Sequence, residues 1–265
     1  MNYDELSLQL HKQYRGKITT SLRDTSDLDR TKLSAYYTPG VAAVSRAIAE
    51  DDSLLPTYTW TNNLVAVISD GTAVLGLGNV GPRASMPVME GKCVLFKSFG
   101  DVDAFPLCIR SKDVDEIVKT IHLISGSFGG INLEDISAPR CFEIEQKLKA
   151  CCDIPIFHDD QHGTAIISAA GLINALELQG KKIEDVRVVV SGAGASAIAC
   201  CNLWVKLGIR RENITMCDSR GVLHEGRRGT VDVTKEAYIV DTKARTVEEA
   251  LRGADVFLGL SKGNL

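Results

Sequence analysis

The chain has 265 residues, a formal net charge of −4, 45% hydrophobic residues and 24% charged residues. This length can bury a sizeable core and favours two lobes, and the composition is typical of a globular protein. The sequence contains no run of lysine and arginine, and no apolar stretch approaches the roughly 18 to 20 residues of a membrane span. These features exclude nucleic acid and membranes from the expected partners.

The N-terminal segment and the cysteines bear on the cellular compartment. The segment MNYDELSLQLHKQYRG predicts an amphipathic helix, and it has neither the basic start nor the apolar core of a signal peptide. The eight cysteines form no CxxC pair, and several lie inside apolar runs. We therefore expect reduced, buried thiols in a cytoplasmic protein. The cysteine spacing gives little support for a zinc site or a disulfide framework.

Apolar periodicity and turn residues predict mixed helices and strands in the first 180 residues. An aromatic turn, YYTPG, occupies 36–40, and two apolar runs around Asp70-Gly71 predict a β-hairpin over 64–78. Asp113 and Glu116 have the spacing of a helix capping box. The predicted helices cover about 41–50, 86–100, 113–125, 139–150 and 163–180, and the predicted strands cover 103–110, 129–135 and 154–157.

From Val186 onward, strands and helices alternate regularly, which predicts a parallel, doubly wound sheet. The segment GAGASA, at 192–197, fits the pattern GxGxxA between a valine-rich strand and a helix. Its glycines permit a tight turn and let the backbone approach a pyrophosphate at the positive end of the helix. The alternative is a glycine turn that serves only close packing. The residues expected to bind NAD or NADP here are Gly192, Gly194, Ala195 and Ser196.

Asp218 ends the next predicted strand, where a carboxylate can accept a hydrogen bond from a ribose 2′-hydroxyl. This acid favours NAD. Arg220, or the pair Arg210-Arg211, would instead suit the 2′-phosphate of NADP, so both nucleotides stay open. A second GxGxxG segment, GLGNVG at 76–81, follows the predicted hairpin and precedes Pro82, so we expect a structural turn or a loop that lines a cleft.

Carboxylates follow two predicted strands of the first part of the chain. Glu134 and Asp135 end one strand, and Asp160 follows another. Three carboxylates at one sheet edge suit a hard cation such as Mg²⁺ or Mn²⁺, although a solvated strand end would also explain the first two. His158 and His162 suggest zinc less well, because His162 lies at a helix start, where capping is the commoner use.

Two further side chains are candidates for proton transfer. Lys92 lies within an apolar helix, where burial would let it act as a base near neutral pH. A surface lysine with a buried stem is the plainer alternative. Tyr37, in the YYTPG turn, is a candidate proton donor, with an aromatic wedge under the turn as the alternative.

These observations together favour an α/β fold with two lobes. We expect a substrate- and metal-binding α/β domain in residues 1–162 and a Rossmann-type dinucleotide domain in residues 163–265. Because such a domain usually has six strands and only three are predicted before the chain ends, we expect its first half only. The segment HDDQH, at 158–162, falls at the expected boundary between the lobes.

Five segments in order along the chain resemble malic enzyme, most closely its compact bacterial-type members. They are YTPG at 37–40, the long stretch at 69–106 that contains MEGK, INLEDISAP at 131–139, IPIFHDDQHGTA at 154–165 and SGAGASA at 191–197. The resemblance runs from about residue 10 to the end of the chain. It implies an oxidoreductase that converts L-malate to pyruvate and CO₂ with NAD or NADP and Mg²⁺ or Mn²⁺, and it implies a homodimer.

The resemblance also implies roles for individual residues. Lys92 corresponds to the base that takes the malate hydroxyl proton, and Tyr37 to the acid that protonates the enolpyruvate carbon. Asp159 corresponds to a residue that supports the metal ligands. The metal ligands that the resemblance implies are Glu134, Asp135 and Asp160.

The chain departs from the family pattern at two places. An arginine of the larger members, near Thr72-Ala73, is absent here, as in the compact class. Later asparagines that contact nicotinamide and substrate have no counterpart before Leu265. Three alternatives therefore remain: a catalytically incomplete binding or assembly module, a malolactic-type decarboxylase that forms lactate, and an amino-acid dehydrogenase that needs no metal.

Overall fold

The structure is a computed structural model that describes residues 2–261. The chain divides into two compact units. The first unit comprises residues 2–136 and 143–157, and the second comprises residues 137–142 and 158–261. Among the described residues, no helix combines the length and the apolarity that crossing a membrane requires.

The first unit contains a four-stranded sheet in the order β2-β1-β3-β4, with helices between the strands. Its strands are β1 (Leu64–Ser69), β2 (Asp103–Cys108), β3 (Gly130–Leu133) and β4 (Ile156–His158). Its helices are α1 (Tyr3–Tyr14), α2 (Arg30–Tyr36), α3 (Val41–Glu50), α4 (Leu55–Tyr58), α5 (Gly81–Gly100), α6 (Val114–Ile124) and α7 (Arg140–Cys151).

The predicted hairpin over 64–78 is wrong. β1 pairs in parallel with β2 on one side and with β3 on the other, so it is an interior strand of the sheet. The second apolar run is not a strand of this sheet. Its side chains Leu75 and Leu77 are 95% and 67% exposed. Aspartate followed by glycine marks a turn in either case. β1 is buried at every position except the partly buried Val65, so it gives no alternation that would separate a hairpin from a parallel strand.

The turn after β1 directs the chain into α5. The Asp70 carboxylate accepts hydrogen bonds from the backbone N–H and the hydroxyl of Thr72, at 3.0 and 2.6 Å. Gly71 has φ +68°, and its carbonyl accepts from the N–H groups of Val80 and Gly81, each at 3.0 Å. The GLGNVG segment therefore forms a structural turn, as predicted, and α5 begins at its last residue, Gly81.

Two helices begin earlier than predicted. α5 starts at Gly81 rather than at 86, because Pro82 fits the first turn of a helix and Pro87 is accommodated inside it. α8 (Asp159–Gln179) starts four residues before Gly163. The capping box at α6 is only half formed: Asp113 accepts from the N–H of Glu116 at 2.8 Å, whereas the Glu116 carboxylate accepts from the Ser111 hydroxyl.

The second unit contains a sheet in the order β7-β6-β5-β8. β5 pairs in parallel with β6 and β8, which confirms the parallel sheet that the sequence predicts, and a short antiparallel β7 follows β6. Its core includes Val188 and Val190 of β5 together with Trp204 and Met216. The remaining elements are β5 (Val188–Ser191), α9 (Ala195–Leu207), β6 (Ile214–Asp218), β7 (Gly221–Val222), α10 (Val233–Glu236), α11 (Val247–Leu251) and β8 (Val256–Gly259).

All eight cysteines lie in the described part of the chain and all are free thiols. Five of them are buried, as predicted: Cys93, Cys141, Cys200, Cys201 and Cys217. Burial raises the pKa of the Cys217 thiol to about 11, so this thiol stays protonated and unreactive at neutral pH. Cys108 and Cys152 are half-buried, and Cys151 is exposed at the end of α7.

Candidate functional site

Two carboxylates are buried where β3 ends. Glu134 and Asp135 are 6% and 5% exposed, so the alternative of a solvated strand end is wrong. The parallel pairing of β3 with β1 fixes the backbone at this point, since the N–H of Glu134 donates to the Ile68 carbonyl of β1 at 2.9 Å. Asp135 has a left-handed backbone with φ +53°, which is costly for a residue other than glycine. Buried carboxylates require compensating partners, and such strain is typical of functional positions.

Lys92 supplies one of these partners. Its Nζ lies 3.2 Å from Glu134 Oε1, and its side chain is 22% exposed. The Asn132 amide donates to the other oxygen, Glu134 Oε2, at 2.8 Å. Lys92 is therefore neither a fully buried lysine nor a surface lysine, since it forms a half-buried ion pair at the sheet edge. Lys97, five residues further along α5, instead pairs with exposed Asp101 at 2.6 Å.

Tyr37 lies in the turn that joins α2 to α3. Its N–H donates to the Leu33 carbonyl and its carbonyl accepts from the N–H of Val41, both at 3.0 Å. The side chain is 70% exposed, so the alternative of an aromatic wedge under the turn is wrong. The backbone of Tyr37 is thus fixed while its phenol faces outward, which suits a group that meets a ligand.

The segment HDDQH forms the start of α8. His158 is fully buried and caps the helix, because its Nδ1 accepts from the N–H of Gln161 at 3.3 Å. The capping role expected for His162 therefore belongs to His158. An accepting Nδ1 leaves the imidazole proton on Nε2, which lies 3.9 Å from Asp160 Oδ2. The cap thereby fixes the first turn of α8, which carries Asp160.

The Asp159 side chain lies along the first turn of α8, next to Gly163. A Cβ placed on Gly163 would lie 2.5 Å from Asp159 Oδ1, so only glycine leaves room for the carboxylate in this position. At Gly171, in the same helix, such a Cβ would lie within 4 Å of no described atom beyond its chain neighbours and the adjoining helix backbone. The two glycines thus differ in what an added side chain would meet.

We expect Gly163→Ala to displace Asp159 and to weaken Mn²⁺ binding by about 10-fold or more, as losses at supporting residues do. Gly171→Ala, the matched control, should stabilise the chain by roughly 0.5–1 kcal/mol and leave Mn²⁺ affinity unchanged. Mn²⁺ titration and thermal unfolding of both variants provide the test. Equal Mn²⁺ affinities in the two variants would remove Asp159 from the support of the cation.

The glycine turn after β5 has the form that the sequence predicts. Gly192 has φ +120°, and a Cβ there would lie 2.7 Å from the Leu260 carbonyl oxygen. Gly194 precedes α9, and a Cβ on it would meet no atom of the described chain within 4 Å. The space in front of the Gly194 backbone is thus open, at the positive end of a 13-residue helix that begins at Ala195.

Ser196 links this turn to the start of α8. Its hydroxyl donates a hydrogen bond to the Asp160 carbonyl at 2.7 Å. The hydroxyl is therefore used inside the protein, and the group that Ser196 offers to a phosphate is its backbone N–H in the first turn of α9. Within the second unit, the glycine turn and an acidic residue of HDDQH are thus directly connected.

Asp218 is held by Arg227, a residue that no sequence pattern indicates. Arg227 Nη1 and Nη2 lie 2.8 and 2.7 Å from Asp218 Oδ1 and Oδ2, and the two side chains are only 13% and 14% exposed. The N–H of Arg220 donates to Asp218 Oδ1 at 2.8 Å. The other arginine candidates lie elsewhere: Arg211 stacks on the Tyr238 ring, and Arg210 is 3.9 Å from Asp185.

This ion pair predicts a dependence of stability on pH. Arg227 holds the pKa of the Asp218 carboxyl below its ordinary value of 3.8. A depressed pKa contributes stability that is complete above the unfolded-state pKa and is lost as the pH falls through the folded-state pKa. Asp218→Asn should therefore cost roughly 1–3 kcal/mol of unfolding free energy near pH 7, and this difference should shrink below pH 3.8. Urea unfolding at several pH values measures it, and a constant difference would contradict the assignment.

The described residues fit both groups that the sequence predicts. Buried carboxylates at the end of β3 and a carboxylate in the first turn of α8 are oxygen ligands of the kind that Mg²⁺ and Mn²⁺ prefer. The open glycine turn ahead of α9, with a compensated acid at the end of β6, fits the phosphates and ribose of a dinucleotide.

Comparison with known proteins assigns both units. The family model described as "Malic enzyme, N-terminal domain" matches residues 16–149. The family model described as "Malic enzyme, NAD binding domain" matches residues 161–258. The NADP-dependent malic enzyme of Rhizobium meliloti is 53% identical over 261 residues, which cover 98% of this chain and 34% of that protein. The bifunctional malic/malolactic enzyme of Bacillus subtilis is 49% identical over 269 residues, covering 98% of this chain and 64% of that protein.

A solved structure agrees with these relatives. The crystal structure of the NAD-dependent malic enzyme from Thermotoga maritima superposes with a TM-score of 0.91 at 46% identity. The match covers 97% of this chain and 69% of that one. The chain therefore spans only part of the length of each relative, and 34% of the Rhizobium meliloti protein.

Proposed function

This chain belongs to the malic enzyme family, and we propose that it catalyses the metal-dependent oxidative decarboxylation of L-malate to pyruvate and CO₂ with reduction of NAD⁺ or NADP⁺. The observation that supports this most directly is the contact of Lys92 with Glu134, at 3.2 Å. It joins the proposed base to a proposed metal ligand, although the two residues are 42 positions apart in the sequence.

The protein side chains would divide the proton transfers between them. Lys92 would take the proton from the C2 hydroxyl of malate, and a bound nicotinamide would supply the hydride acceptor for the oxidation to oxaloacetate. The loss of CO₂ then gives enolpyruvate, and the Tyr37 phenol returns a proton to C3. The neutral amine is the form of Lys92 that can accept the hydroxyl proton.

We propose that Glu134, Asp135 and Asp160 hold Mg²⁺ or Mn²⁺, with Asp159 as their support. When bound, such a cation polarises the C2 oxygen and serves as an electron sink for decarboxylation. The buried carboxylates and the strained backbone of Asp135 support this assignment. Residues 1–162 would then bind substrate and cation, and residues 163–265 the nucleotide.

The Asp218–Arg227 pair is proposed to set the choice of nucleotide. The carboxylate can accept from a ribose 2′-hydroxyl, whereas the guanidinium suits a 2′-phosphate. We expect Asp218→Ala to release Arg227 and to raise kcat/KM for NADP⁺ relative to NAD⁺ by about tenfold. Glu225→Ala breaks an exposed pair with Arg228 in the same segment and should leave the ratio unchanged. An unchanged ratio in Asp218→Ala would show that this pair does not read the ribose.

A malolactic reaction is the second candidate, because a relative that is 49% identical is named a bifunctional malic/malolactic enzyme. Such a reaction would release lactate without net formation of NADH or NADPH. Assays for lactate and for reduced nucleotide in the same reaction mixture distinguish the two.

We also propose a homodimer in the cytoplasm. α1 leaves apolar side chains exposed, and a groove of about 730 Å³ lies between α1, residues 16–19 and Val94. A second copy of the chain would cover this apolar surface, and sedimentation velocity should then show a two-chain species. The eight free thiols fit a reducing compartment, which cell fractionation can check.

The first experiment is a malate-dependent assay with Mn²⁺ and with NAD⁺ or NADP⁺ in separate reactions. We expect reduced nucleotide to form and a chelator to abolish the signal. Folded protein that binds Mn²⁺ but forms neither reduced nucleotide nor lactate would contradict the proposal and favour a catalytically incomplete binding module. Activity that persists in chelator would instead favour a metal-independent dehydrogenase.

A further inference from the structure

A second group of metal-binding side chains lies in the first unit and takes no part in the proposed malate reaction. His122 lies in the last turn of α6, Cys151 is the last residue of α7, and Cys152 follows it. One ligand atom from each residue lies within 4.8 Å of the other two. The group has no CxxC spacing, because its cysteines are adjacent and its histidine comes from a different helix.

The distances approach those of a tetrahedral metal site. The two sulfur atoms are 3.9 Å apart, and Cys152 Sγ is 3.9 Å from His122 Nδ1. Two thiolates bound to one Zn²⁺ would lie about 3.8 Å apart, and a thiolate and an imidazole nitrogen about 3.5 Å apart. Small side-chain rotations would therefore bring all three atoms to ligand distance.

The surroundings favour a cation. α6 and α7 both end at this point, and the carboxyl ends of helices carry partial negative charge. Asp153, the next residue, adds a negative charge close to Cys152. A bound divalent cation would compensate these charges and would bind the thiols as thiolates, with release of their protons.

Neighbouring contacts hold the ligands in place. The N–H of Cys152 donates to the Leu148 carbonyl at 2.8 Å, which continues the turn of α7 through the second cysteine. The Ser125 hydroxyl donates to the His122 carbonyl at 2.9 Å. Lys147 of α7 pairs with Asp115 of α6 at 2.6 Å and connects the two helices. Ligands on connected helices lose little freedom when a metal binds.

We propose that His122, Cys151 and Cys152 form a site for Zn²⁺ or a similar thiophilic cation, with water as the fourth ligand, that joins the ends of α6 and α7. Two thiolates and an imidazole select such a cation over Mg²⁺, which prefers oxygen ligands. The site is therefore chemically distinct from the carboxylates proposed to hold Mg²⁺ or Mn²⁺, and the proposal does not depend on malate turnover.

Titration of the reduced 265-residue chain with Co²⁺, in excess Mg²⁺, tests the site. Mg²⁺ occupies oxygen sites and leaves thiols free, so a thiolate-to-cobalt charge-transfer band reports only on cysteine ligands. We expect one Co²⁺ per chain, displaced by Zn²⁺, and two protons released as Zn²⁺ binds. Cys151→Ser and Cys152→Ser should each weaken binding by at least about tenfold, and His122→Ala should weaken it too.

Cys108→Ser is the matched control, because Cys108 is a half-buried thiol of the same unit outside the group. It should leave the band and the affinity unchanged. Zn²⁺ should also raise the unfolding temperature of the native chain but not that of the Cys151→Ser/Cys152→Ser double variant. The proposal is overturned if the fully reduced native chain shows no charge-transfer band, or if the band survives in the double variant.

Discussion

Replacement of Lys92 by alanine should lower malate-dependent nucleotide reduction by about 10²–10⁴-fold, the usual contribution of a general base. The same substitution should strengthen Mn²⁺ binding rather than weaken it. The reason is the ion pair: Lys92 Nζ is a positive charge 3.2 Å from Glu134 Oε1, and its removal leaves that carboxylate more available to a cation. Turnover assays and Mn²⁺ titrations measure the two effects separately.

Lys97→Ala provides the control for this variant. Lys97 is on the same helix, but it is 56% exposed and pairs with Asp101 and Asp103 at the surface. Its loss should change activity by less than about twofold, because surface ion pairs contribute little. Ordinary activity in Lys92→Ala would exclude its role as the base. Weaker Mn²⁺ binding in that variant would show that Lys92 supports the cation site rather than competing with it.

Asp160→Asn should weaken Mn²⁺ binding by about 100-fold or more, since a charged oxygen ligand becomes a neutral amide of the same size. The fold should survive, because the helix cap at His158 and the bond from Ser196 to the Asp160 carbonyl do not involve the Asp160 side chain. Isothermal titration with Mn²⁺ measures the affinity, and circular dichroism checks the fold.

Asp185→Asn is the matched control for this substitution. Asp185 is an exposed carboxylate of the same unit, 3.9 Å from Arg210, and its loss should leave Mn²⁺ affinity unchanged. If Asp160→Asn binds Mn²⁺ as tightly as the Asp185→Asn control, Asp160 is not a ligand. The proposed set would then reduce to Glu134 and Asp135.

The sequence predicted the parts of the fold that depend on local patterns. The parallel sheet of the second unit follows from regular alternation, and the glycine turn follows from backbone geometry that only glycine permits at Gly192. The hairpin at 64–78 was wrong because the neighbours of β1 are distant in sequence: β2 begins at Asp103 and β3 at Gly130. Local periodicity carries no information about such pairings.

The same limit applies to side-chain partners. Nothing near Glu134 in the sequence indicates Lys92, and nothing near Asp218 singles out Arg227 among several arginines of the segment. The helix cap at His158 was missed for a different reason. Ser, Thr, Asp and Asn are the usual capping residues, and histidine is not a strong signal of a helix start.

The hydrogen bond from Ser196 to Asp160 has a thermodynamic consequence. A phosphate drawn to the first turn of α9 would restrict Ser196, and through it the backbone of Asp160. A cation held by the Asp160 carboxylate would restrict the same bond from the other end. The coupling free energy between two binding sites is the same in both directions. The factor by which the nucleotide changes the affinity for the cation therefore equals the factor by which the cation changes the affinity for the nucleotide. If the shared bond couples the two sites, the affinity measured for the nucleotide or the cation depends on the concentration of the other, so each should be measured at a stated concentration of the other.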